Sequence, residues 1–219
     1  MADDLLREAL HPYPPELVIA TKAGLTRSGP GQWGTDGRPE RLRASCEDSL
    51  RRLGLDTIEL FQLHRIDPSV PASEQFGTLA ELREEGKIRH AGLSEVTVAQ
   101  IEAAREVLPI VTVQNLYNLA DRGSEDVLEH CTREGIGFIP WFPLASGRLA
   151  DAGGVVATVA EAHGATPAQI ALAWLLARAP VMLPIPGTST VAHLEQNCAA
   201  ARLELSDEEI ARLSLGDRG

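Results

Sequence analysis

Thr57-Ile58-Glu59-Leu60-Phe61-Gln62-Leu63 is a short, largely apolar run that follows Gly54. It reads as a buried strand. Downstream, an amphipathic stretch from about Ser73 to Glu85 reads as a helix ended by Gly86, and Arg89 to Ser94 reads as the next strand. Upstream, Leu17-Val18-Ile19-Ala20-Thr21 is continuous and β-branched, as a strand buried on both faces should be. A loop rich in Gly and Pro follows, from Gly24 to Gly37. Pro39 then suits the first turn of a helix carrying Leu42, Cys46, Leu50 and Leu53 at helical spacing, and Gly54 stops it.

The cycle repeats toward the C-terminus. Thr97 and Gln100 form a capping box for a helix with Ile101, Ala104 and Leu108. Ile110 to Gln114 reads as a strand, Ser124 to Arg133 as a helix ending at Gly135, and Ile136 to Trp141 as a strand. A helical region broken at His163-Gly164 restarts with Thr166 as cap, Pro167 at the first position and Gln169 completing the box. Val181 to Ile185 reads as a strand, Gly187-Thr188-Ser189-Thr190 leads into a helix, and Ser206 with Glu209 caps a terminal one.

Strand–helix alternation with short connections predicts parallel strands with helices outside. Two architectures satisfy it: an open doubly wound sheet and a (β/α)8 barrel. Gly29-Pro30-Gly31-Gln32-Trp33-Gly34 matches a dinucleotide fingerprint literally. That motif should open a helix directly, but Gly37 and Pro39 intervene and Trp33 sits where a phosphate needs room, so it reads as a surface loop.

The 219 residues favour one domain, 1–219, and no linker divides them. Hydrophobic residues make up 44% and charged residues 23%, which excludes a wholly disordered chain. A net charge of -11 argues against nucleic acid as a partner. No apolar run reaches the roughly 20 residues of a membrane span, and the acidic start lacks a secretory pattern. Cys46, Cys131 and Cys198 are far apart and odd in number, so they read as buried thiols in a reducing cytoplasm rather than a disulfide framework or a metal site.

In a barrel, function gathers at the C-terminal ends of the strands. The residues there are Lys22, His64, Ser94-Glu95, Gln114-Asn115, Trp141 and the Gly187-Thr188 turn. Lys22 and His64 stand at equivalent points of successive repeats, so parallel strands would set them side by side. A lysine there lowers the pKa of an adjacent acid, and a neutral imidazole hydrogen-bonds a carbonyl oxygen.

The segments Ile19-Ala20-Thr21-Lys22, Leu60-Phe61-Gln62-Leu63-His64, Gly86-Lys87-Ile88-Arg89, Gly92-Leu93-Ser94, Val113-Gln114-Asn115, Trp141-Phe142-Pro143-Leu144-Ala145-Ser146-Gly147 and Pro184-Ile185-Pro186-Gly187-Thr188-Ser189 closely resemble, in this order, the aldo-keto reductase family. The resemblance implies an α/β fold, the parallel (β/α)8 TIM barrel. It also implies a nicotinamide cofactor, usually NADPH, with NADH as the other option, held without a Rossmann domain. By motif, Lys22 and His64 match the lysine and histidine of the family's Asp-Tyr-Lys-His tetrad. Neither Tyr13 nor Tyr117 matches its tyrosine, and Asp3 and Asp4 do not match its aspartate. The expectation is therefore a barrel incomplete at the N-terminus, lacking the segment that carries both.

Among cofactor residues, the resemblance assigns Trp141 to the nicotinamide face and Ser94 and Gln114 to its carboxamide. It assigns Leu144, Gly147, Arg148 and Leu149 to the pyrophosphate. Gly187, Thr188, Ser189 and Thr190 fall to the 2′-phosphate, with His193 where many relatives carry an arginine. Gln196 and Asn197 fall to the adenine. Glu95 departs from the asparagine often found after that serine. The implied activity is NADPH-dependent reduction of a small aldehyde or ketone to an alcohol, with little turnover expected from a chain lacking the tyrosine. The alternative is a non-catalytic nicotinamide-binding module with a regulatory or interaction role.

Overall fold

The computed structural model describes residues 2–145 and 154–215. It divides into two compact units, Met1–Val113 and Gln114–Gly219.

In the first unit, helix α1 (Ala2–Leu10) precedes strand β1 (Ala20–Ala23), a hairpin of β2 (Leu25–Gly29) and β3 (Gln32–Thr35), and helix α2 (Pro39–Leu53). Strand β4 (Ile58–Leu63), helix α3 (Ala72–Glu84), strand β5 (Ile88–Ser94), helix α4 (Val98–Arg105) and strand β6 (Ile110–Gln114) follow; the last residue of β6 opens the second unit. The main strands lie in the order β1-β4-β5-β6, with β1–β4 and β4–β5 parallel. The core forms where apolar positions of helix and sheet meet: Leu42, Cys46 and Leu53 from α2, Phe61 and Leu63 from β4, Leu79 and Leu82 from α3, all essentially inaccessible. Full burial of each Leu or Phe is worth about 1.5–3 kcal/mol, so this face holds the helices on the sheet. Gly54 ends α2 with φ 70 and donates its N–H to the Leu50 carbonyl, a left-handed cap that favours glycine.

Two expectations change here. The strand at Leu17–Thr21 starts later. Leu17 is tied into a turn by its N–H to the Pro14 carbonyl (3.0 Å), and Val18 is 63% exposed. Pairing begins where the Ile19 carbonyl accepts from the Leu60 N–H (3.2 Å). The stretch expected as a loop from Gly24 to Gly37 is the β2–β3 antiparallel hairpin, turning at Pro30-Gly31 and carrying Arg27 over the Trp33 ring at 5.1 Å. The literal glycine fingerprint thus lies across a hairpin turn and opens no helix.

In the second unit, helix α5 (Glu125–Glu134), strand β7 (Gly137–Phe138), helices α6 (Gly154–Ala162), α7 (Pro167–Arg178) and α8 (Val191–Ala199), a 3-10 turn (Ala200–Arg202) and helix α9 (Asp207–Leu215) succeed one another. Helix α7 opens with the expected Thr166–Gln169 capping box and buries Ile170 through Leu175. The Trp174 indole N–H donates to Ser214 Oγ at 3.0 Å, fastening α7 to α9.

The strands expected at Ile136–Trp141 and Val181–Ile185 shrink to β7 plus single bridges, Trp141 to Leu116 and Met182 to Phe138. Pro140, Pro143, Pro184 and Pro186 lack the N–H a longer ladder needs. Cys46 and Cys131 are buried, but Cys198 is exposed, against expectation. Among the described residues, no helix is long and apolar enough to cross a membrane, and no group of three His, Cys, Asp or Glu could hold a metal ion.

Candidate active site

In the first unit, β1 and β4 run parallel with Lys22 opposite Gln62 and Ala23 opposite Leu63. One residue on, the His64 N–H donates to the Ala23 carbonyl at 2.7 Å. Parallel register thus brings Lys22 and His64 to the same end of adjacent strands, as the sequence predicted.

Both side chains are half-buried. Burial holds the Lys22 ammonium below the ordinary lysine range. His64 falls to about 4, first through burial and then through the positive charges of Lys22 and Arg65. Its imidazole is therefore neutral at pH 7, with one ring N–H to donate and one ring nitrogen to accept.

Ser94, at the end of β5, is 1% exposed. Its Oγ accepts from Arg65 Nη1 at 3.0 Å, and the same nitrogen donates to the His64 carbonyl at 2.6 Å. Arg65 thus joins the ends of β4 and β5. The sequence offered only one signal for it, a charge directly after the strand-end histidine. Glu95 takes a left-handed conformation, φ 55, which an asparagine adopts more readily than a glutamate.

In the second unit, a cavity of about 740 Å³ is lined by Leu144, Gly187, Thr188, Ser189, His193, Gln196 and Asn197, seven of the residues singled out from sequence. Phe142, Pro143, Thr166, Ala168, Ile185 and Pro186 also line it, residues to which the sequence assigns no cofactor contact. Thr190 stands beside it as the cap of α8, its side chain accepting from the His193 N–H. Phe142 and Ala145 have φ 64 and 47, so the chain entering the cavity rim is strained. Gln114 is buried and Trp141 half-buried. Neither lines the cavity, but the Trp141 ring lies 5.5 Å from that of Phe142, which does. Gly147, Arg148 and Leu149 lie outside the described residues.

The sequence profile of the aldo/keto reductase family matches residues 1–215. The chain belongs to the aldo/keto reductase family. Over 213 residues this aldo/keto reductase is 54% identical to an uncharacterized oxidoreductase of Schizosaccharomyces pombe, covering 97% of this chain and 69% of that protein. It is 40% identical to pyridoxine 4-dehydrogenase of Escherichia coli, covering 97% and 76%. Among solved structures, an aldo/keto reductase from Klebsiella pneumoniae in complex with NADP and acetate superposes with a TM-score of 0.83 at 32% identity, over 98% of this chain and 75% of that one. The fold class is accordingly α/β, the (β/α)8 barrel type of these oxidoreductases.

Proposed function

We propose that this reductase binds NADPH, with NADH as a second option, and reduces a small aldehyde or ketone to its alcohol. The observation that carries this is the pairing of a neutral His64 with Lys22 at the ends of adjacent parallel strands. The second-unit cavity fits a phosphorylated dinucleotide in its donor set. Thr188 and Ser189 bring hydroxyls, Gly187 leaves open space where a Cβ would stand, and α8 begins just after them. The first N–H groups of a helix have no partner within it and favour an anion. In this reading Gly187, Thr188, Ser189 and Thr190 take the 2′-phosphate with His193 beside it, and Gln196 and Asn197 take the adenine. Leu144, Gly147 and Arg148 take the pyrophosphate, and Gln114 and Trp141 the nicotinamide. A single barrel domain and a cytoplasmic location complete it, the latter supported by three free cysteines.

When bound, the cofactor supplies the hydride that adds to the carbonyl carbon. The chain's own work is to orient and polarise. The neutral His64 N–H donates to the carbonyl oxygen, and the Lys22 cation stabilises the negative charge that grows there. The proton that completes the alcohol would come from solvent water, since neither tyrosine offers one. The Tyr13 hydroxyl donates to the Leu53 carbonyl at 2.9 Å, and the Tyr117 hydroxyl to Glu125 Oε2 at 2.7 Å. That observation favours the second reading, a nicotinamide-binding module with little turnover.

One preparation tests both. NADPH should quench tryptophan emission, and Trp141→Ala should remove most of the quench while Trp33 and Trp174 still emit. Oxidation of NADPH by a reactive aldehyde, impaired by Lys22→Met and His64→Ala, supports the reductase. Quenching without oxidation supports the binding module, and absence of quenching overturns both.

A further inference from the structure

Arg65 is a half-buried cation directly after the strand-end histidine. With 31 acidic against 20 basic residues, partners are plentiful, and Arg43, Lys87, Arg89, Arg105 and Arg178 each hold a carboxylate. Among the described residues, neither Arg65 nor Lys22 has one within ion-pair distance, though both are half-buried. A cation withdrawn from water without a counter-ion is costly, and its cost falls when an anion arrives.

The Arg65 guanidinium is also ordered beforehand. Nη1 is fixed by the His64 carbonyl and Ser94 Oγ, so little freedom is left to lose on binding. The edge formed by Nη2 and Nε has no protein acceptor among the described residues. Two N–H groups on one planar edge match the two oxygens of a carboxylate.

We propose that Arg65, aided by the charge of Lys22, is a specificity residue that selects carbonyl substrates bearing a carboxylate. A phosphate, the other source of such an oxyanion, asks for more donors than the one free edge supplies. The proposal rests on the reductase function above and adds the substrate class. Its geometry is that of the first unit alone, where His64 and Arg65 are consecutive and Lys22 lies on the adjacent strand.

The test uses the full chain without cofactor and reads binding. 4-Carboxybenzyl alcohol and 4-nitrobenzyl alcohol have nearly the same shape and differ in charge. Each is titrated while the His64 imidazole is followed by NMR. The carboxylate should bind about 10- to 100-fold tighter, the worth of a charge-assisted hydrogen-bonded pair. That ratio should collapse toward one in Arg65→Gln and be partly kept in Arg65→Lys, with thermal melts confirming that each variant is folded. Inorganic phosphate should compete weakly. A ratio near one in the parent chain, a ratio unchanged in Arg65→Gln, or phosphate competing more strongly than the carboxylate overturns the proposal. NADPH quenching on the same samples separates the two claims. Quenching without carboxylate preference sinks only the substrate class, whereas carboxylate preference without quenching sinks the reductase reading and leaves an anion site.

Discussion

The Asp67 carboxylate accepts a hydrogen bond from the backbone N–H of Gly37 at 2.9 Å. It also accepts from the Ser69 N–H and hydroxyl, and these donors hold Asp67 at about 2. The Gln75 side chain accepts from the Asp67 N–H and donates to the Asp67 and Val70 carbonyls, each at 2.9 Å. The chain just after His64 is thereby clamped to the entrance of α2 and the first turn of α3. A Cβ on Gly37 would stand 2.7 Å from Asp67 Cβ and would also meet Gln75 Oε1, closer than packed carbons approach. Gly37→Ala should therefore destabilise the protein by about 1–3 kcal/mol, the usual cost of overpacking. Gly77, on α3, has open space around its would-be Cβ. Gly77→Ala should stabilise by about 0.5–1 kcal/mol. Urea melts of the two variants decide, and a Gly37→Ala chain as stable as its parent would refute the clamp.

His64 sets a pH dependence. Its ordinary value is 6.5, and in the folded chain it is about 4. The neutral form is the one the fold accepts, so its contribution is full above pH 6.5 and is lost as pH falls toward about 4. An NMR titration of the imidazole should place it there. Lys22→Met should raise it, because a positive neighbour is removed, yet leave it below 6.5, because burial is the larger cause. Titration at the ordinary histidine value, or a fall in Lys22→Met, would contradict the arrangement.

Much of this was legible in the sequence where the signal is local. The Thr97–Gln100 and Thr166–Gln169 capping boxes and the Gly54 and Gly135 helix ends stand as read, because each needs only neighbours a few residues away. The convergence of Lys22 and His64 followed from the repeat, since parallel strands bring equivalent positions together. The β2–β3 hairpin is not legible because Gly and Pro there punctuate a turn between two strands, which composition alone does not separate from an irregular loop. The strand expected at Val181–Ile185 reduces to a single bridge because its apolar pattern is real but Pro184 removes a donor. Arg65 is not legible in the sequence because its importance lies in what the fold leaves unpaired, and no local pattern encodes that.

Tyr117 is a second check on the proton donor. Burial first, and then Glu125, push its hydroxyl up to about 12 despite the Arg178 guanidinium. Glu125 keeps its ion pair with Arg178 when the hydroxyl is gone. Tyr117→Phe should therefore cost about 1 kcal/mol, one hydrogen bond, and leave any NADPH-dependent rate unchanged. Tyr13→Phe should behave alike. A fall of about 10²–10⁴ in either variant, the usual worth of a general acid, would identify it as the donor and overturn the assignment.

Thr188 tests the cofactor end. Its hydroxyl accepts from the Thr190 N–H at 3.2 Å and donates to the Thr190 carbonyl at 3.3 Å, just before α8 begins. It could therefore act by shaping the turn or by meeting the 2′-phosphate. The two roles differ in what they do to the two cofactors. A phosphate contact exists only with NADPH, so Thr188→Ala should raise the NADPH Kd by about 10-fold or more and leave the NADH Kd where it was. Loss of the turn would weaken both together. Thr188→Ser keeps the hydroxyl at the same place and should keep the NADPH preference. Fluorescence titration of both cofactors against the three chains gives the answer. Equal losses for NADPH and NADH in Thr188→Ala, or NADH binding the parent as tightly as NADPH, would remove the phosphate from this end of the cavity.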